Sequence, residues 1–115
     1  MKVKLQTARK FELGEAQLQA VADLFSVLSE PTRLRILQML QRGPATVGEI
    51  MAATAIKQAN ASKQLGILYQ AGMLSRAKEG NAVRYSIRLP LVFDLCDLVC
   101  TSLRDDAQAK ARLLR

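Results

Sequence analysis

The stretch TVGEIMAATAIKQANASKQLGILYQ, residues 46–70, decides the fold. It opens with Thr46-Val47-Gly48-Glu49, a T-x-x-E pattern in which the threonine hydroxyl and the glutamate carboxylate satisfy free amides at a helix start. A short helix ending near Thr54 follows from it. After a turn at Ala55-Ile56, the residues Ala61, Leu65 and Leu68 fall on one face of a second helix, from Gln58 to Gln70, which Gly72 ends. Two short helices joined by a turn of about three residues are a helix-turn-helix.

Downstream of Gly72 the hydrophobic period changes from 3.6 to 2. Val83, Tyr85 and Ile87 alternate with Arg84, Ser86 and Arg88, and Glu79-Gly80-Asn81-Ala82 has tight-turn composition, so residues 74–88 read as a β-hairpin with a basic outward face. Leu89-Pro90 opens a last helix with Val92, Leu95, Val99 and Leu103 in one stripe. Upstream, Leu18, Val21, Phe25 and Leu28 mark a first helix from Glu15. Ser29-Glu30-Pro31 stops it and starts another, whose expected buried side is Leu34, Leu37 and Leu40, with Arg33 and Arg35 outside and Gly43-Pro44 beyond its end.

The reading is therefore a mainly α winged helix-turn-helix of about five helices and a two-stranded wing. Residues 1–14 form a basic arm, 15–104 the winged helix-turn-helix domain, and 105–115 a tail that either extends the last helix or frays. One domain is what 115 residues allow, and with 4% aromatics and no Trp its core rests on Leu, Ile, Val, Ala and Met.

A formal charge of +7 points to a partner carrying phosphate, because Lys and Arg gain affinity by releasing counterions condensed on nucleic acid. Its distribution is specific: residues 57–88 hold six cations against the single acid Glu79. On the helix from Gln58, the face opposite Ala61, Leu65 and Leu68 is polar and small. Lys57, Gln58, Asn60, Ser62, Lys63 and Gln64 suit base edges and phosphates in the major groove, and Arg76, Lys78, Arg84 and Arg88 of the hairpin suit the adjacent backbone or minor groove. The expected partner is double-stranded DNA. Apolar runs are too short to span a bilayer and no signal-peptide core follows Met1, so the expected location is the cytoplasm, without a membrane partner.

The sequence resembles the ArsR/SmtB family of bacterial repressors over roughly residues 18–90. The resemblance lies in Leu28-Ser-Glu-Pro-Thr-Arg-Leu-Arg-Ile-Leu37, Thr46-Val-Gly-Glu-Ile50, Ser62-Lys63 with Leu65 and Leu68, Ala71-Gly-Met-Leu74, and Glu79-Gly80 with Arg84-Tyr85-Ser86. It implies a homodimer built through the first and last helices, binding a palindromic operator and repressing transcription until an inducer releases it. Two recognition helices about one DNA turn apart also multiply affinity and specificity. Two departures stand out: Lys57 replaces a serine cap, and Gly66 occupies a place where a longer side chain is common.

The family's Cys-x-Cys and histidine metal ligands are absent, since Val47-Gly48-Glu49-Ile50 stands at the first place and the chain has no His. Cys96 and Cys100, spaced i,i+4 on the last helix, are the candidate sensor. Three readings stay open for them: apolar packing, a thiol switch through oxidation or persulfide, and a soft metal or metalloid ion as the one candidate cofactor. An enzyme is disfavoured, because Ser and Cys lack a His partner and no glycine-rich phosphate loop is present. A winged-helix dimerisation or protein-docking module is the stronger rival, and sequence-independent DNA coating is another; the few aromatics argue against docking.

Overall fold

The computed structural model describes residues 12–113. The chain runs α1 (Glu15–Val27), α2 (Pro31–Leu40), β1 (Ala45–Thr46), α3 (Val47–Thr54), α4 (Gln58–Gln70), β2 (Leu74–Glu79), β3 (Ala82–Ile87) and α5 (Leu91–Leu113). The expected helices and hairpin are all present, and the last helix continues through the tail to Leu113. Most of the basic arm, residues 1–11, lies outside the described residues.

Local chemistry explains the boundaries. The Glu30 carboxylate caps α2 by accepting from the Arg33 backbone N–H at 3.0 Å, with Pro31 at the first helical position. At α3 the predicted capping box is closed in both directions: Glu49 N–H donates to the Thr46 hydroxyl at 3.2 Å and Thr46 N–H donates to the Glu49 carboxylate at 2.9 Å. Ala55 ends α3 in the left-handed region, with φ 61° and ψ 24°. A Cβ there costs about 1 kcal/mol that glycine does not. Ala55→Gly is accordingly expected to raise the thermal midpoint by about 4 °C in a calorimetric scan.

The sheet differs from the expected two-stranded wing. Ala45 and Thr46 add a third strand, giving the antiparallel order β1-β3-β2 with Ala45 opposite Tyr85 and Thr46 opposite Arg84. Two residues are too few to show a period of 2, which is why the pattern concealed them.

The core gathers Ile36, Leu37 and Leu40 of α2, Ile50 of α3, Ala61, Leu65 and Leu68 of α4, and Met73, Leu74, Tyr85 and Val92. Leu34 is a correction: it is 41% exposed and Ile36 takes the expected place. Both residues lie on apolar arcs of α2, and the core occupies only the one facing α4 and the sheet. The other arc faces a groove of about 600 Å³ lined by Phe25, Leu28, Leu34, Leu95, Val99 and Cys100. No residue of α1 is buried, and Leu18, Val21, Phe25, Val99 and Leu103 all stay exposed. The molecule is 20 Å in its shortest dimension, about two helix layers deep, and among the described residues nothing covers this apolar side.

Candidate nucleic-acid interface

Helix α4 is the centre of the site. Its inner arc, Ala61, Leu65 and Leu68, is fully buried, which fixes the rotation of the helix and leaves Gln58, Ala59, Asn60, Ser62 and Lys63 exposed on the other side. Lys57 is the N-cap residue and makes no side-chain cap hydrogen bond, so the first amides of α4 stay unfilled by side chains beside a cation.

Gln64 departs from this face. It is 6% exposed and turned inward, where Arg33 Nε donates to its Oε1 at 2.8 Å while its own Nε2 donates to Asn60 Oδ1 at 3.0 Å. Arg33 was expected outside; it is instead part-buried, and its Nη1 also donates to the Val27 carbonyl at 3.1 Å. A signal for Gln64 existed: positions 61, 64, 65 and 68 stand at i, i+3, i+4 and i+7, so the amide sits inside the apolar arc. A signal for Arg33 did not, because its partner lies 31 residues away.

The wing cations do not share one face. In the β2–β3 register Arg76 stands opposite Tyr85, Ala77 opposite Arg84 and Lys78 opposite Val83. Residues directly opposite share a side of the sheet, so Arg76 and Lys78 occupy one side and Arg84 the other. The hairpin's cations are thus divided between its two sides, Arg76 and Lys78 of β2 on the side of Val83 and Tyr85, and Arg84 of β3 on the other. Arg76 stacks 3.9 Å from the centroid of the Tyr69 ring. Lys78 is exposed, and Arg88 donates to the Gly72 carbonyl at 2.7 Å.

Arg84 is held from three directions: its Nε donates to the Glu79 carboxylate at 3.0 Å, and its Nη1 to the Pro44 carbonyl at 3.3 Å and to Glu49 at 3.4 Å. The Glu79 hydrogen bond is the main cause that raises the Arg84 pKa. Glu49 is held below the usual carboxylate range, chiefly by the Thr46 backbone N–H and further by the charge of Arg84. Arg84 thereby ties the wing to the start of α3.

Cys96 and Cys100 both line the apolar groove. Burial is the main cause pushing the Cys96 thiol above its ordinary pKa, helped by Asp97 and Cys100 and opposed by a Gln41 hydrogen bond. Cys100 is exposed, with Arg104 Nη2 3.5 Å from its Sγ. Among the described residues no group of three or more His, Cys, Asp or Glu side chains is placed to hold a metal ion, and no helix is long and apolar enough to cross a membrane.

Comparison with known proteins agrees with this geometry. The helix-turn-helix domain family matches residues 28–76. The probable mercury resistance operon repressor of Streptomyces lividans is 36% identical over 88 residues, which cover 76% of this chain and 70% of that protein. The chain spans 66% of the length of the first curated relatives it matches, which are uncharacterised regulators of the same helix-turn-helix type. Among solved structures, the antimony-specific transcriptional repressor AntR superposes with a TM-score of 0.78 at 32% identity, covering 94% of this chain and 96% of that one. The homodimeric winged helix-turn-helix DNA-binding domain Mb0332 of Mycobacterium bovis gives 0.77 at 28% identity, covering 89% and 94%. With its capped α3, its outward-facing α4 and a wing pinned to both, the chain belongs to the ArsR/SmtB family of winged helix-turn-helix transcriptional repressors.

Proposed function

We propose that this protein is a cytoplasmic homodimeric repressor that places α4 in the major groove of a palindromic operator and its wing on the flanking backbone. The observation that carries the reading is the contrast across α4, with one side wholly buried and the other an uncovered row of small, amide and cationic side chains. Asn60, Ser62 and Lys63 read base edges, while Lys57 and Gln58 meet phosphate at the helix start. Arg76, Lys78 and Arg88 contact backbone, and Arg84 holds the wing at the angle those contacts need. The second subunit covers the exposed apolar residues of α1 and α5. The domain is one unit from residue 15 onward, preceded by the basic arm.

Cys96 and Cys100 are the inducer site in this reading, because they sit in the groove where the second subunit docks. Thiol oxidation or persulfide formation there disturbs the dimer. A soft metal or metalloid, as the names of the mercury and antimony repressors suggest, needs a third ligand from the second subunit.

The test is selection of random duplex DNA by the reduced protein, followed by titration with peroxide, persulfide, zinc and arsenite, with Cys96→Ser and Cys100→Ser as controls. A symmetric enriched site is expected, with relaxed preference in Asn60→Ala and Lys63→Ala. Arg76→Ala and Lys78→Ala are expected to weaken all duplexes alike and to lower the salt slope by about 1 each. No enriched site moves the assignment to a docking module or to sequence-independent coating.

A further inference from the structure

We infer that Arg33 and Gln64 are positioning residues that fix the orientation of the Asn60 amide, so that Asn60 offers the DNA a hydrogen-bond donor and discriminates against cytosine. The inference rests on the proposed reading of α4 as the base-reading helix.

The argument starts at the residue with no freedom. A guanidinium has five N–H donors and no acceptor, so whatever meets Arg33 must present an oxygen. Gln64 meets it with Oε1 at 2.8 Å. Gln64 is 6% exposed on the arc of Ala61 and Leu65, so little water reaches its amide to replace either partner. Its amide nitrogen is left facing the preceding turn of α4, where it donates to Asn60 Oδ1 at 3.0 Å. Asn60 lies exposed at the third position of α4, and with its oxygen engaged inward its Nδ2 is the group that faces outward.

The head of the chain is itself anchored. Arg33 Nη1 donates to the carbonyl of Val27, the last residue of α1, at 3.1 Å, and a helix C-terminus favours a cation. Donor direction therefore runs one way, from Arg33 to Gln64, from Gln64 to Asn60, and from Asn60 to the groove. Rotating either amide by half a turn would set donor against donor at a part-buried contact.

This polarity has a readable consequence. In the major groove guanine offers N7 and O6, adenine N7 and thymine O4 as acceptors, whereas cytosine offers only its N4 donor. Asn60 held as a donor rejects cytosine at the base it meets. An unconstrained asparagine, able to present either end, would not.

Two substitutions reverse the outward group by different routes. Gln64→Glu keeps the shape and the Arg33 partner but can only accept, so Asn60 must turn its nitrogen inward and its oxygen outward. Asn60→Asp leaves Gln64 in place and presents a carboxylate oxygen directly. Both are expected to convert the same base position from cytosine rejection to preference for cytosine or adenine, a change of roughly tenfold in relative affinity.

The experiment is duplex selection and competition binding at fixed salt with the dimeric wild type, Asn60→Ala, Asn60→Asp and Gln64→Glu, each checked by circular dichroism. Asn60→Ala should lose discrimination at one position per half-site, and the other two should share the reversed preference there. If Asn60→Ala changes no position, Asn60 reads no base, and the proposed role of this residue in α4 falls together with the relay. If Asn60→Ala flattens a position but a folded Gln64→Glu keeps the wild-type preference, base reading stands and the relay is overturned. Should Gln64→Glu not fold, Gln64→Met decides: with no amide to engage its oxygen Asn60 presents either end, so cytosine rejection at that position is expected to fade, and a folded Gln64→Met that still rejects cytosine as the wild type does overturns the inference.

Discussion

Val99→Glu combined with Leu103→Glu is expected to leave each chain folded while separating the dimer, and to reduce operator affinity by about 100-fold or more. Val99 is 48% and Leu103 65% exposed in the single chain, so neither supports the core, and acidic side chains there cost the monomer little. Against a second copy of the same stripe, the four introduced carboxylates would face one another without partners, which is strongly unfavourable. Loss of the dimer then removes the effective concentration by which one bound α4 holds its twin over the second half-site, a gain typically of order 100- to 10,000-fold. Sedimentation velocity and operator titration read the two consequences separately. A variant that stays dimeric would show that another surface joins the subunits.

The second large effect is expected from Leu65→Ala, at about 3 kcal/mol of stability. Leu65 is wholly buried between Ala61 and Leu68, so the truncation leaves a cavity beneath the middle of α4. The chain is thin, and few neighbours can move in to fill the space. Urea denaturation should show a lower midpoint with little change in slope. DNA binding should weaken in proportion to the folded fraction, because no outward group has been touched. A loss of affinity well beyond that fraction would mean that the rotation of α4, not just its presence, depends on Leu65.

What could be read in the sequence follows from the range of the interactions involved. The box at Thr46 and Glu49, the restart at Pro31 and the change of period after Gly72 are local signals. The elements they announce are where they should be. The outward row on α4 was legible for the same reason, since Ala61, Leu65 and Leu68 leave only one orientation. Features that need a distant partner were hidden. Leu34 and Ile36 sit on two apolar arcs of α2, and only the position of α4 and the sheet decides between them. Arg84 reads as a free cation until Pro44 and Glu49, 40 and 35 residues away in sequence, come within reach. Arg33 looks like a solvated cation until the crossing of α2 and α4 brings it to Gln64, 31 residues away.

Thr46 has three duties at once: it is the last residue of β1, it pairs with Arg84 of β3, and it caps α3. Wing and helix-turn-helix therefore share a residue at the base of the hairpin, and no change of length is tolerable there. At the other end Gly80 turns the chain at φ 63° with nothing within 4 Å of where a Cβ would stand. Lengthening belongs at that tip. Each pair of residues added on either side of Gly80-Asn81 would extend the wing by about 7 Å and keep every existing side chain on its own face of the sheet. On the proposed reading, the span of DNA contacted is thus adjustable by engineering the tip without redesigning the part that folds.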